Sequence, residues 1–335
     1  MKLRKINKKG MSIPLEWIFA MIAGATILIL AIYGTTKFVG GAQEFRGKET
    51  AEIIKAYLDP YSTGLSIGES AQVSFRKNSK IFFDECSYLE NQPWGYQTIA
   101  FSETMFNNKF TKKSNPAYIK NKYIFSNSEI TGKEVYILSK PFFMGYKVDD
   151  LIIVDTKNYC FYNAPRDIKD ELENLNINYF NFTNDLDECF GITVCFDINN
   201  PECDVIVKGE CNNNCETEFS HGKVIKKSNL GKSIELGYIN NLWISAIFSN
   251  QEIYECNIKR LMNKYYELGR VYLEKIKIIE LKGCSSDLQG KLSTSINKAK
   301  TIKDSSELFS LYNEVNDIRV INEAATSSGC QLFYS

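Results

Sequence analysis

WIFAMIAGATILILAIYGTTKF, residues 17–38, dominates the organisation of this 335-residue chain. The segment from 17 to 38 holds 22 residues with one charged side chain, Lys37, and about 20 apolar residues suffice to cross the hydrocarbon core of a bilayer. Five cations and no anion occupy residues 1–10, which predicts a cytoplasmic N-terminus by the positive-inside rule. We therefore expect a basic cytoplasmic tail over residues 1–12 and a transmembrane helix over residues 13–39.

Two alternatives to an anchor are a cleaved secretory signal and a buried core helix. A secretory signal has an apolar region of roughly 7–15 residues followed by a small-residue cleavage site, which residues 40–42 would supply. The apolar run here is longer, so we favour an uncleaved anchor that contacts the lipid bilayer through residues 17–38. Trp17 and Tyr33 occupy the positions expected of interfacial aromatic residues. Glu16 suits the start of the helix at the headgroup level, because a carboxylate there interacts favourably with the helix dipole.

The N-terminal residues also carry a short motif. Lys8-Lys9-Gly10, then Glu16, then a helix rich in Ile, Leu and Ala resembles the class III signal of type IV pilin-like proteins. The resemblance covers about residues 1–40. It implies cleavage after Gly10 and a glutamate that helps subunits to register in a filament. That glutamate is the fifth mature residue in the family, whereas cleavage after Gly10 would make Glu16 the sixth.

Composition excludes several classes of function. Forty basic and forty acidic residues cancel, so the chain has no overall field that would favour a nucleic-acid partner. The single histidine, His221, lies in a turn-like Ser-His-Gly-Lys context and is expected at the surface. Histidine supplies much metal binding and acid–base chemistry near neutral pH. We accordingly assign no catalytic residue, cofactor-binding residue, metal ligand or cofactor.

Ten cysteines follow the predicted span, at positions 86, 160, 189, 195, 203, 211, 215, 256, 284 and 330. An even number confined to the predicted outer body is typical of a disulfide framework, because oxidising compartments preserve disulfide bonds. A zinc site is one alternative, since Cys211 and Cys215 have the spacing of zinc ligands, but the chain has no second close pair. Buried free thiols are another. We favour disulfides.

The body is expected to have an α+β fold in two domains. Short runs rich in β-branched and aromatic residues predict a mostly antiparallel sheet domain over residues 40–248, with a helix after Pro165. Residues 102–133, which are polar and rich in Asn and Lys, are interpreted as a long surface excursion. Capping motifs and apolar seams predict a C-terminal three-helix bundle over residues 249–335.

The order of these three helices predicts one disulfide bond. Helices joined by short links run antiparallel, so the first and the third should end at the same level. Cys284 and Cys330 lie just beyond those two ends, and we expect them to pair. Cys256 begins the first helix, so it should pair, if at all, with a cysteine of the sheet domain.

Three functions remain open. The first is a single-pass, extracytoplasmic binding or envelope-assembly module at the cell membrane, without enzymatic activity, that self-associates or binds a protein partner. The second is a pilin-like filament subunit. The third is an extracytoplasmic hydrolase that uses the acidic loops at Asp149-Asp150 and Asp155 or at Asp185, Asp187 and Glu188, which we otherwise expect to be solvated. Asn181-Phe182-Thr183 is a glycosylation sequon in the predicted outer body.

Overall fold

The computed structural model describes residues 21–34, 51–52, 54, 70–89, 92–105, 108–210, 217–227, 233–281, 283–284, 287–326 and 330. The chain divides into two compact units, Met1–Arg46 and Gly47–Ser335. The predicted signal Lys8–Gly10, the interface residues Glu16 and Trp17, and the cysteine pair Cys211 and Cys215 lie outside the described residues. The proposed boundary between residues 248 and 249 stays a prediction.

The described part of the first unit is a helix over residues 21–34, α1. Its apolar side chains are exposed around the helix, and Tyr33 near its end is exposed as well. Among the residues that the structure describes, no helix is both long enough and apolar enough to cross a membrane.

The second unit contains two mixed β-sheets. The seven strands of the first sheet are β1 Ser70–Phe82, β2 Cys86–Leu89, β3 Gln92–Glu103, β4 Ala117–Lys120, β5 Tyr123–Phe125, β6 Glu129–Phe143 and β7 Lys147–Asp155. Their order is β2-β3-β1-β6-β7-β5, with β4 also paired to β3, and every pair except β5–β7 is antiparallel.

The second sheet has six strands in the order β13-β12-β11-β10-β8-β9. The strands are β8 Tyr159–Tyr162, β9 Phe180–Thr183, β10 Ile192–Phe196, β11 Val205–Gly209, β12 His221–Lys227 and β13 Ser233–Ile239. β9, β8, β10 and β11 run parallel, and β11, β12 and β13 run antiparallel. The predicted α+β class is confirmed, but both sheets are mixed. β5 pairs in parallel with β7 in the first sheet, and β8, β9 and β10 of the second sheet are joined by crossover connections rather than hairpins.

Helices cover the sheets and close the chain. Residues 51, 52 and 54 belong to α2; the later helices are α3 Arg166–Glu173, α4 Leu242–Phe248, α5 Gln251–Glu280, α6 Leu288–Thr301 and α7 Phe309–Thr326. α5 packs on β2, β3, β5 and β7 of the first sheet and also on α6, which in turn packs on α7. The predicted C-terminal helices are therefore present, and the first of them, α5, also packs on the first sheet.

The predicted surface excursion over residues 102–133 is wrong in part. β4 and β5 lie within it, and Tyr123, Ile124 and Phe125 of β5 are fully buried. β5 is the edge strand next to β7, so a segment with polar flanks still contributes three core side chains.

Two apolar cores lie on the two faces of the first sheet. The larger core joins its inner face to the second sheet and to α3–α7, and the Phe248 ring in it contacts the rings of Tyr136 and Tyr159. The smaller core lies on the outer face and includes Ala51 and Ile54 of α2. The larger core also contains Ile168, Trp243, Tyr312 and Val315, which line the cleft described below.

All eight cysteines that the structure describes are in disulfide bonds. The pairs, with their Cα–Cα distances, are Cys86–Cys256 at 6.1 Å, Cys160–Cys189 at 5.4 Å, Cys195–Cys203 at 5.9 Å and Cys284–Cys330 at 5.7 Å. Cys284 and Cys330, the pair expected from the helix order, thus lie at disulfide distance. Cys256 is bonded to Cys86 of the sheet strand β2.

Candidate functional site

The carboxylates of the first acidic loop take part in the fold. Asp149 is paired with Lys264 of α5, and Asp150 is paired with Lys147. Asp155 is fully buried and accepts hydrogen bonds from the Tyr159 hydroxyl at 2.7 Å and from a backbone N–H at 2.7 Å. Burial raises the pKa of Asp155, and the Tyr159 hydrogen bond opposes that shift. The expectation that Asp155 is solvated is therefore wrong.

The second acidic loop is a surface turn. Asp185 caps a 3-10 turn by accepting from the Asp187 backbone N–H at 3.1 Å. Glu188 accepts from the Thr183 hydroxyl at 3.0 Å. Asp185, Asp187 and Glu188 are exposed, as expected of a solvated loop.

His221 is buried, so its predicted surface position is wrong. It begins β12, and its ring lies 4.8 Å from the Phe309 ring and 4.5 Å from the Tyr312 ring. Burial lowers the pKa of His221, whereas the nearby Glu210 acts in the opposite direction. Its Nδ1 has no hydrogen-bond partner among the described residues, which favours the neutral imidazole.

A cleft of about 270 Å³ lies next to Tyr312, where five segments of the second unit meet. α3, α7, the β6–β7 turn, the approach to β12 and the β13–α4 turn all contribute to its wall. Aromatic side chains of Phe143, Phe219, Trp243 and Tyr312 line it, together with polar side chains of Asp167, Glu171, Asn240, Asn241, Asn316 and Arg319. Its mixed lining is typical of a site for a small polar ligand.

Two tight turns build the wall of this cleft. Gly145 has φ +80° in the β6–β7 turn, and a Cβ there would lie 2.6 Å from Ile318 Cγ2 of α7. Asn240 has φ +48°, and its side-chain amide donates to the Phe143 carbonyl at 2.9 Å. The Asn241 amide donates to the Pro141 carbonyl at 3.1 Å. The Nδ2 atoms of both asparagines thus connect the β13–α4 turn to the end of β6. Their amide oxygens are the acceptors that a ligand could use.

Two of the three charged side chains that line the cleft, Glu171 and Arg319, are ion-paired, and the third, Asp167, is exposed. Lys140, which is nearly buried, pairs with Glu171 of α3. Arg319 donates to Asn316 Oδ1 at 3.0 Å and pairs with Glu323 at 3.4 Å. These pairs hold the side chains in place around the cleft. The cleft thus offers amide groups, aromatic rings and the Asp167 carboxylate to a small polar molecule.

A second polar cluster lies beneath α5. The guanidinium of Arg260, which is fully buried, donates to the Trp94 carbonyl at 2.9 Å, to Gln97 Oε1 at 2.9 Å and to Asn257 Oδ1 at 2.8 Å. It also lies 4.8 Å from the Tyr123 ring centroid. Burial lowers the pKa of Arg260 to about 10, so it stays charged at neutral pH.

This cluster binds α5 to the first sheet. Three of its buried polar atoms, Trp94 Nε1, Tyr123 Oη and Arg260 Nη2, have no hydrogen-bond partner among the described residues. None of the three atoms reaches the surface, so the cluster offers no opening for a ligand. Sequence analysis missed it, although Asn257, Arg260 and Lys264 follow one another at the three- and four-residue steps of a single helix face.

The described residues contain no group of three or more His, Cys, Asp or Glu side chains that could hold a metal ion. Of the predicted site residues, Cys284 and Cys330 lie together and Tyr33 is on α1. The cleft has no counterpart in the sequence analysis, because its wall comes from segments up to about 180 residues apart (from Phe143 to Arg319).

No protein-family model matches the chain, and no curated protein or solved structure is significantly similar to it.

Proposed function

We propose that this protein is a single-pass, membrane-anchored extracytoplasmic module that binds a ligand or assembles with a partner in the cell envelope, without enzymatic activity. One observation carries the proposal: all eight cysteines that the structure describes are disulfide-bonded. Disulfides form and persist in oxidising compartments outside the cytoplasm and are rare inside it. The body that contains them belongs outside the membrane.

The anchor is the apolar segment that contains α1. Its exposed apolar side chains would be costly in water and favourable in lipid, which supports a transmembrane helix over residues 13–39. The cations of residues 1–10 support a cytoplasmic N-terminus. The C-terminal three-helix bundle over residues 249–335 is part of the same proposed architecture.

The cleft next to α7 is the ligand site in this proposal. It combines aromatic surface with amide groups, and its Lys140–Glu171 pair is formed before any ligand arrives. At about 270 Å³ it lies just below the range of roughly 300–1,000 Å³ typical of small-molecule sites. The ligand is therefore a small polar molecule or one polar side chain of a partner protein.

Labelling of intact cells with a membrane-impermeant amine reagent tests the topology. Lys277 and Lys291, which are exposed on α5 and α6, should be modified in intact cells. Lys2, Lys5, Lys8 and Lys9 should be modified only after the cells are opened. Labelling of those four lysines in intact cells, with Lys277 and Lys291 protected, would reverse the proposed orientation.

A pilin-like filament subunit is the second candidate. The observation in its favour is that the apolar side chains of α1 are exposed around the whole helix, as helices packed in a filament core require. This candidate shares the extracytoplasmic body with the first. It differs in that the residues before Met11 would be removed.

A further inference from the structure

The sequon Asn181-Phe182-Thr183 lies in β9, the edge strand of the second sheet. β9 pairs in parallel with β8, and Asn181 lies opposite Cys160. β9 is the last strand of the sheet, so its other edge has no neighbouring strand among the described residues. An edge strand leaves a row of backbone N–H and C=O groups open to solvent or to another chain.

The side chain of Asn181 is exposed on the outer face of this sheet. Phe180 and Phe182 pack against the larger core, so the alternation of a strand directs Asn181 to the opposite face. Its amide nitrogen makes one long hydrogen bond, to the Glu188 carbonyl at 3.4 Å. The side chain has open space around it and little that fixes it in place.

We infer that Asn181 is a site of N-linked glycosylation, an inference that rests on the proposed extracytoplasmic location of the body. In this reaction the Asn181 Nδ2 forms a bond to the anomeric carbon of a lipid-phosphate-linked oligosaccharide. The bond from that carbon to the phosphate oxygen breaks, the lipid phosphate leaves with the electron pair, and the amide releases one proton. The remaining amide hydrogen can still donate to the Glu188 carbonyl, so the modified strand keeps its local contact.

The folded geometry also fixes when the sugar is added. The Thr183 hydroxyl accepts from the Asp185 N–H at 3.0 Å and donates to Glu188 Oε2 at 3.0 Å. It is thus engaged away from Asn181, and the sequon is held extended within β9. Glycosylation therefore precedes formation of the strand. Once added, the glycan shields the open edge of β9 from pairing with another chain.

Peptide mass spectrometry of the full-length protein, purified from membranes of its natural source, tests this inference. The measured mass of the peptide that contains Asn181 should exceed the mass calculated from its sequence by the mass of one oligosaccharide. The mass increase should disappear in Asn181→Gln and Thr183→Val and persist in Thr183→Ser, which keeps the hydroxyl. Asn178→Gln, an exposed asparagine outside the sequon, is the matched control and should retain the increase.

Non-reducing peptide mapping and surface labelling of the same preparation separate the two ways in which the inference can fail. An unmodified Asn181 in a protein that has its Cys160–Cys189 bond and is labelled from outside overturns the glycan and leaves the proposed location standing. The result that overturns both the glycan and the proposed location is an unmodified Asn181 in a protein that has free thiols and whose body is not labelled from outside.

Discussion

At the scale of single residues, Arg260 is the side chain whose environment is most demanding. It is a buried cation whose three described acceptors are neutral oxygen atoms on β3 and α5. Removing one partner from a buried hydrogen-bonded group leaves the others unsatisfied, which is more damaging than loss of an exposed contact. Arg260 should therefore contribute more to stability than any exposed cation of the same helix.

Arg260→Met is expected to lower the free energy of unfolding by about 2–4 kcal/mol, because the carbonyl and amide oxygens that it satisfies stay buried. Arg270→Met on the same helix is the matched control. Its side chain is 61% exposed, and the change should stay within about 0.5 kcal/mol. Urea unfolding of the non-reduced proteins measures both. Equal effects of the two substitutions would show that the Arg260 network is not a stabilising contact.

His221 should make stability depend on pH. Because burial lowers its pKa in the folded state, the unfolded chain binds the proton more tightly. The contribution of His221 is therefore fully present above its ordinary pKa of about 6.5 and is lost as the pH falls below that value.

The variant His221→Phe keeps a ring between Phe309 and Tyr312 and removes the titration. As the pH falls from about 7.5 to about 5.5, the free energy of unfolding of the wild type should decrease more than that of the variant. Denaturant unfolding at several pH values provides the comparison. Parallel pH profiles would mean that His221 is protonated equally in both states.

The burial of individual polar side chains was the feature of the structure that the sequence predicted least well. His221 stands in a turn-like Ser-His-Gly-Lys context, yet it is buried because the distant rings of Phe309 and Tyr312 cover it. Asp155 ends the apolar strand β7 and is buried with it, where the Tyr159 hydroxyl donates to it. Local polarity reports on sequence neighbours, whereas burial depends on which strands and helices pack together. The exposure of Asp185 followed from its sequence because a short loop provides its own surroundings.

At the scale of elements, strongly periodic segments were predictable and uniformly apolar ones were not. Tyr254, Ile258, Leu261 and Tyr265 recur at helical spacing, and α5 spans Gln251–Glu280 accordingly. The seven residues of α4 are all buried and nearly all apolar, so their pattern cannot distinguish a short helix from a strand. The sequence Ser249-Asn-Gln-Glu252 is a capping box that predicts Ser249 as the cap of this helix. That position is wrong by one residue, because Asn250 caps α5 and the Ser249 hydroxyl donates back to α4.

The disulfides differ in how much chain each one encloses, and this difference should appear in the unfolded state. Cys86–Cys256 joins residues 170 apart, and Cys195–Cys203 joins residues 8 apart. In the chain-entropy model, closing loops of these sizes is worth about 5 and about 2.5 kcal/mol, respectively. Removing the first bond by Cys86→Ala with Cys256→Ala should therefore lower stability by about 5 kcal/mol.

The hydrodynamic radius of the urea-unfolded, non-reduced protein separates this effect from changes in native packing. It should increase when the Cys86–Cys256 bond is removed, because a long loop is released. The matched double variant at Cys195 and Cys203 should leave the radius nearly unchanged. The same radius for both variants would contradict the pairing.

At the scale of the whole molecule, the order of helices was accessible from sequence and the arrangement of sheets was not. Short links placed Cys284 and Cys330 at one end of the helices. The two-sheet arrangement depends on parallel pairings such as Tyr159 with Phe180 and with Ile192, which join segments through crossovers. A strand's own residues do not specify its neighbour, so the cleft between these layers could not be predicted either.

The amino-terminal residue of the mature protein distinguishes the two candidate functions. An anchored module should keep residues 1–10, because its basic tail orients the membrane helix. A pilin-like subunit should begin at Met11. N-terminal sequencing with intact mass determination of the native protein decides between them, and alkylation without prior reduction should modify none of the eight described cysteines.

The bond between Cys86 and Cys256 also constrains how the protein is made. In the proposed extracytoplasmic location, a chain exported amino end first would expose Cys86 to oxidants while Cys256 is still 170 residues behind. Four described cysteines, Cys160, Cys189, Cys195 and Cys203, emerge between the two, and consecutive oxidation would join Cys86 to the first of them. The native partner is reached through thiol–disulfide exchange once α5 has emerged. Biogenesis of this protein should accordingly require a disulfide isomerase, whereas Cys195–Cys203 closes without one.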